Sequence, residues 1–271
     1  MNPHHFFFFL SRRLRPCVAF LTLVFTFATV ATSILAAPEP APTDGSARNV
    51  VLVHGAFVDG SSYAGVIAIL QKAGYHVTAV QNPLTSLEDD VAATRRALAL
   101  QDGPTVLVGH SWGGVVISEA GNDPKVVGLV FLAALVPDVG ELFSEIAQRF
   151  PAAPGSAHIQ SRNGYARMDQ DGFVANFAQD LPADQARVLA AVQGPIDATL
   201  FTHKTTVAAW KDKPSWYAVA TQDRMLLPEM QRYLATRAKA QIVELDTSHA
   251  CTLTRPAEVA KLIEAAAHGT R

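Results

Sequence analysis

Cysteine is scarce: the 271-residue chain has only Cys17 and Cys251. Cys17 falls in an N-terminal stretch with the character of a leader, so the rest of the chain holds one thiol and no internal disulfide. Cys251 then reads as a small buried hydrophobe rather than a nucleophile. No H-E-x-x-H pattern or cysteine–histidine cluster occurs, so no metal is expected. No G-x-G-x-x-G follows an apolar strand, so no dinucleotide or other cofactor is expected. Charge is also sparse, at 17% of residues, with 22 basic against 24 acidic side chains. This balance lacks the basic footprint of a nucleic-acid partner or of binding to an anionic surface. Beyond residue 48 there are no repeats and no low-complexity tract.

The first residues differ in kind. Arg12, Arg13 and Arg15 precede an apolar run from Val18 to Leu35, and Ala36 and Ala37 follow it. Basic, apolar and small residues in that order predict a secretory signal peptide over 1–37. The run nearly reaches bilayer length. Thr22, Thr26, Thr29, Thr32 and Ser33 dilute it, which favours cleavage near Ala36 or Ala37 over a retained membrane anchor. The expected location is secreted or periplasmic. Cleavage leaves 234 residues with 19 basic and 24 acidic side chains. That length suffices for one domain with a sizeable core. Residues 38–48, rich in proline and small side chains, read as a linker.

From 49 to 271 the pattern alternates as one domain. Short apolar runs at 49–55, 75–81, 105–109, 126–135, 215–220 and 240–245 alternate with helical spacing. The segment 61–74 has a serine cap and a terminal glycine. Residues 86–103 place acids early and arginines late, as the helix dipole favours. Six strands separated by helices predict an α/β fold, with a mostly parallel sheet covered by helices on both faces. About residues 138–213 break the rhythm. They show helical pieces such as GELFSEIAQRF but no obvious strand, and they read as a helical cap inserted after the fourth strand, over the carboxyl ends of the strands.

One stretch concentrates chemistry. Gly109-His110-Ser111-Trp112-Gly113 fits G-x-S-x-G between a strand and a helix. Such a turn holds a serine hydroxyl exposed, and chance supplies on the order of 0.05 matches in a chain of this composition. A serine needs a base and an orienting acid. Of the nine histidines, His4 and His5 lie in the leader and His268 in the tail, while His54, His76 and His110 sit in or beside strand ends. His249, in the loop DTSHACTLTRP after the last strand, fits the base. Asp223 directly follows the fifth strand and gives the order Ser, Asp, His. Asp138, after the fourth strand, and Asp246, three residues before His249, are the rivals. Oxyanion donors would be the backbone N–H of Trp112 and of Ala56 in HGAF, with Phe57 the neighbouring alternative.

The runs VLVHGAFVDGSSY, VLVGHSWGG, ATQDRMLLP and SHACTLTRP together resemble the α/β-hydrolases over about residues 49–267. The resemblance is nearest to the compact branch of bacterial carboxylesterases, plant methyl esterases and hydroxynitrile lyases. It implies Ser111 as nucleophile, His249 as base and Asp223 as acid. Two departures stand out. The first strand here matches the third strand of the larger family, so an N-terminal hairpin is missing. The hydroxynitrile lyases also carry a lysine just after the catalytic histidine, where this chain has Ala250.

The expected function is therefore cleavage of a small to medium uncharged carboxylic ester. Other reactions on the same triad are the alternatives: lactone or amide hydrolysis, perhydrolysis or cyanohydrin cleavage. A ligand-binding protein on the same scaffold is a further alternative. The partner implied is a small molecule, with no nucleic acid, and with a membrane only if the leader stays. No oligomeric state is implied. The insertion carries Phe143, Phe150, Tyr165, Phe173, Phe177, Phe201 and Trp210. Much of this suits ordinary core packing beneath the helices. Phe57, Phe143, Phe177 and Trp210 are the candidate pocket walls.

Overall fold

The computed structural model describes residues 46–269. The leader at 1–37 and the first part of the linker lie outside the described residues. In chain order the strands are β1 (Asn49–Val53), β2 (His76–Val80), β3 (Thr105–His110), β4 (Val126–Leu132), β5 (Ile159–Arg162), β6 (Tyr165–Met168), β7 (Ile196–Asp197), β8 (Ser215–Ala220) and β9 (Gln241–Leu245). The helices are α1 (Ala64–Lys72), α2 (Leu87–Ala99), α3 (Gly113–Ala120), α4 (Phe143–Ala147), α5 (Gln170–Gly172), α6 (Ala183–Val192), α7 (Pro228–Arg237), α8 (Cys251–Thr254) and α9 (Pro256–Gly269).

Six strands form one parallel sheet in the order β2-β1-β3-β4-β8-β9. The sheet lies between two apolar layers, and alternate residues of each strand serve opposite layers. Val51, Val53, Leu107 and Phe131 join the layer of α2, α3 and α7, while Val50, Leu52, Val106 and Val108 join that of α1 and α9. The inner strands are therefore apolar throughout, as strands covered on both faces must be. Of the edge strands, β2 is mostly half-buried and β9 largely exposed.

The chain runs outward from β1 to β2, then crosses back over β1 to β3. Connections thus leave the carboxyl ends of β1 and β3 in opposite directions, and a crevice opens between them, where ligands bind in such sheets. The entry to α1 departs from the serine cap expected there. Asp59 caps a 3₁₀ turn, Gly60–Tyr63, by accepting from the Ser61 N–H at 2.7 Å. The Ser62 hydroxyl instead donates back to the Asp59 carbonyl.

The segment between β4 and β8 is not wholly helical. Besides α4, α5 and α6 it holds an antiparallel sheet, β5-β6-β7, which the sequence reading did not expect. Strands of two to four residues are too short to display a period of two. Asn163 and Gly164, with φ of 52° and 82°, make the two-residue turn joining β5 to β6. The Gln193 side chain then extends the sheet: it accepts from the Met168 N–H at 2.8 Å and donates to the Met168 carbonyl at 2.9 Å.

Candidate active site

The site grows from strand ends. β3 ends at His110, and the chain turns into α3 through Ser111, whose φ is 53°. A side chain that is not glycine is strained there, at a cost of about 1–3 kcal/mol. The surroundings enforce it. A Cβ on Gly109 would lie 2.5 Å from the Gly113 carbonyl oxygen, and one on Gly113 would lie 2.4 Å from the Val53 oxygen. Only glycine at both positions lets helix, turn and β1 pack this closely. The Ser111 N–H donates to the Leu132 carbonyl at 3.1 Å, and the Ser111 carbonyl accepts from the N–H groups of Gly114 and Leu135.

Asp223 follows β8 in a tight turn. Its Oδ1 accepts from the N–H groups of Met225 and Leu226 at 2.7 and 2.9 Å. Its Oδ2 accepts from Gln231 Nε2 at 2.8 Å and lies 2.6 Å from His249 Nδ1. The Asp223 side chain is fully buried and that of His249 is 3% exposed. Four donors thus hold an unexposed carboxylate in one orientation, and it in turn fixes the imidazole with Nδ1 carrying the proton. Gln231 went unnoticed in the sequence. It sits on α7, donates also to the Leu226 carbonyl, and accepts from the Ala220 N–H at 2.9 Å. Its place one helical turn from Leu234 and Ala235, on the apolar face of α7, was the available signal.

The rival aspartates are engaged elsewhere. Asp138 pairs with Lys211 and its side chain is 40% exposed. Its hydrogen bond from Lys211 holds its carboxyl below the usual range. Asp246 accepts from the exposed Gln222 amide at 3.1 Å. Neither has a hydrogen bond to His249.

A second imidazole lies beside the first. His110 is buried, its ring centroid 4.8 Å from that of His249, and its Nε2–H donates to the His249 carbonyl at 2.9 Å. Burial, reinforced by the neighbouring His249, pushes the His110 pKa down to about 3. His110 is therefore neutral at ordinary pH and adds no charge beside His249. His54 is also buried, with a lowered pKa; its Nε2 accepts from the Asn82 N–H at 2.9 Å, tying the ends of β1 and β2.

The pattern of residues agrees with known proteins. The model for the alpha/beta hydrolase family matches residues 50–262. The chain belongs to that family. Its curated relatives include the alpha/beta hydrolase nvfD of Aspergillus novofumigatus, 29% identical over 245 residues that cover 80% of this chain and 96% of that one. Another is the carbendazim hydrolyzing esterase of a Nocardioides species, 31% identical over 158 residues, 52% of this chain and 63% of that one. The crystal structure of a pyrethroid hydrolase from Sphingobium faniae superposes with a TM-score of 0.69 at 22% identity, covering 82% of this chain and 98% of that one.

In this alpha/beta hydrolase, Ser111 and His249 line one cavity of about 140 Å³ at the carboxyl ends of the strands. Ala56 and Phe57 close one side of it, and Phe57 is itself held at φ 66°. Phe143, Phe201, Leu135 and Ile159 supply most of the remaining wall, with Met225 and Leu226 contributed by the Asp223 turn. Trp112 is buried beneath. Its indole N–H donates to Asp90 Oδ2 at 2.8 Å and its ring meets Phe201 edge-on at 5.5 Å.

Two of the expected wall residues lie elsewhere. Phe177 does not line the cavity; it packs edge-on behind the His249 ring at 4.9 Å and stacks on Phe173 at 4.5 Å. Trp210 does not line it either. Its indole N–H needs a buried acceptor and finds the Pro137 carbonyl at 2.8 Å. That bond holds the ring at the root of the insertion, facing the cations of Lys211 and Arg237. Phe201 and Ile159 fill the roles assigned to those two side chains.

Proposed function

We propose that this alpha/beta hydrolase is a serine esterase that cleaves small uncharged carboxylic esters through Ser111, His249 and Asp223, and that it is exported after loss of residues 1–37. The observation that carries the reading is the buried contact of 2.6 Å between His249 Nδ1 and Asp223 Oδ2, on an imidazole that shares its cavity with a strained Ser111. Strain and burial of this kind gather where a structure holds reactive groups.

On this reading the steps are those of acyl transfer through a serine. Ser111 Oγ attacks the ester carbonyl while His249 Nε2 takes its proton. Asp223 keeps the imidazole oriented and stabilises its cation. The carbonyl oxygen becomes an oxyanion against the N–H groups of Ala56 and Trp112, each such donor being worth about 3 kcal/mol. His249 returns the proton to the departing alcohol oxygen, leaving Ser111 acylated. Water, deprotonated by His249, attacks the acyl carbon. The acid leaves, and the proton goes back to Ser111.

The cavity supports the substrate class. Its lining holds no lysine or arginine. Phosphoesters, which call for such cations, should be poor substrates. A cavity of about 150 Å³ with apolar walls accepts a benzene-sized group, and the one here is about 140 Å³. Each methylene finding contact adds up to about 0.8 kcal/mol. With p-nitrophenyl esters, kcat/KM should rise from acetate to about hexanoate and then fall. Cyanohydrin cleavage should be weak, because Ala250 puts a buried methyl where the lyases carry a lysine.

A fluorophosphonate probe tests the core of the proposal. It should label the wild-type protein stoichiometrically at Ser111 and leave Ser111→Ala unlabelled. Absence of labelling in an intact protein would favour a binding protein on this scaffold.

A further inference from the structure

The loop that carries His249 leaves β9 with N–H groups that the main sheet does not satisfy. Two of them find partners in the insertion. The Ser248 N–H donates to Asp180 Oδ2 at 2.9 Å, and the Ala250 N–H donates to the Phe177 carbonyl at 3.1 Å. The Thr247 hydroxyl donates to the same Asp180 oxygen at 2.8 Å. The residues on both sides of His249 are therefore pinned by a segment some 70 positions earlier in the chain. The same segment reaches the acid: Gln179 Nε2 donates to the Gln222 carbonyl, next to Asp223, at 2.7 Å.

The local backbone is unusual in a matching way. After α5 the chain makes a π-helical turn, Phe173–Phe177, closed by the Ala178 N–H on the Phe173 carbonyl at 3.1 Å. Such turns are rare and recur at functional sites. This one stacks Phe173 under Phe177 and sets Phe177 edge-on to the imidazole. It also delivers Asp180 to the loop. Partial burial alone would raise the Asp180 pKa, but the hydrogen bonds from Ser248 and Thr247 outweigh it and hold the carboxyl below its usual range. Asp180 is therefore a charged acceptor at neutral pH, and charged acceptors make the stronger bonds.

We propose that Asp180 is a positioning residue for the base: from the insertion, it fixes the loop that aims His249 at Ser111. The proposal rests on the reading of His249 as base. The insertion then does more than wall the cavity, because a change in its placement changes the aim of the imidazole. Displacements of about 1 Å in a catalytic group can cost about a hundredfold in rate.

The test compares Asp180→Leu and Asp180→Asn with wild type and with Ser111→Ala. The readouts are kcat and KM on p-nitrophenyl butanoate, the thermal midpoint, and the downfield proton resonance of the His249–Asp223 hydrogen bond. Asp180→Leu removes both acceptor bonds; kcat should fall about 10- to 100-fold, KM should stay within about twofold, and the resonance should broaden or vanish. Asp180→Asn keeps one oxygen able to accept from both Ser248 and Thr247, so it should recover kcat to within about fivefold of wild type. If Asp180→Leu does not fold, Thr247→Val, which removes a single bond to Asp180, should show a smaller kcat loss with KM unchanged. Wild-type kcat in the variant that is read would overturn the proposal, as would an Asn variant as poor as Leu with KM rising in step. Full turnover by Ser111→Ala would instead remove the esterase mechanism itself, and this proposal with it.

Discussion

Asp90 offers a measurement whose sign is set by the structure. It lies in the first turn of α2, is fully buried, and accepts from the Leu84 N–H and the Trp112 indole N–H, both at 2.8 Å. Burial pushes its pKa from 3.8 up to about 6, even though the hydrogen bonds from Trp112 and Leu84 pull the other way. The folded protein thus holds the Asp90 proton over a pH range in which the unfolded chain has released it. The stability contributed by protonated Asp90 is full below about pH 4. It is lost as pH rises toward about 6, and the contribution is flat above that. At about 1.4 kcal/mol per unit of pKa the whole shift corresponds to about 3 kcal/mol, of which somewhat over 2 kcal/mol is lost between pH 4 and 7.

Asp90→Asn isolates the effect, because asparagine does not titrate and the other carboxylates cancel in the comparison. Urea unfolding of both proteins at pH 4, 5, 6 and 7 gives the stability of each. Whatever its value at pH 4, the stability of wild type minus that of Asp90→Asn should fall by about 2 kcal/mol by pH 7. A difference that is constant to a few tenths of a kcal/mol would show that Asp90 keeps an ordinary pKa. A difference that grows with pH would show that the two donors stabilise the anion more than burial opposes it. Either result refutes the reasoning.

Ser111→Ala should lose about 10⁶ in kcat and Asp223→Asn about 10⁴, with Asp138→Asn near wild type; severe loss in Asp138→Asn alone would move the acid to β4. Gln231→Leu strands the buried Ala220 N–H and removes one donor from Asp223, so stability should drop by about 1–3 kcal/mol in urea unfolding, together with a fall in kcat. N-terminal sequencing of natively expressed protein should begin near Ala37 or Pro38, and an intact Met1 in the membrane fraction would favour a retained anchor.

The parts of this molecule that could be read from sequence are those with local causes. Val-rich runs become inner strands because both their faces are covered. Gly109 and Gly113 flag the turn at Ser111 because each removes a clash that involves a residue close in the chain or on the adjacent β1 strand. His249 could be singled out because few histidines follow a strand in a loop of small residues. The asparagine–glycine pair at 163–164 is an equally local signal, the strongest short-range mark of a hairpin, although the strands on either side of it are only four residues long.

What stayed hidden depends on partners far apart in the chain. Nothing near Trp210 announces that its indole will bond to Pro137, 73 residues earlier, and nothing near Phe177 announces that it will stand behind an imidazole rather than face the substrate. An aromatic residue in an insertion carries the same apolar signal whether it walls a cavity or braces a loop. Polar atoms separate the two cases. Trp210 has an N–H that must be satisfied, Phe177 lends a backbone carbonyl to Ala250, and Phe201, with neither obligation, is free to meet Trp112 and Phe143 across the cavity wall. Pocket walls in this fold are better sought among aromatics without such obligations, and the braces of the loops that carry Asp223 and His249 among polar side chains, such as Asp180 and the buried Gln231, whose hydrogen bonds reach backbone groups of those loops or of the strand ends.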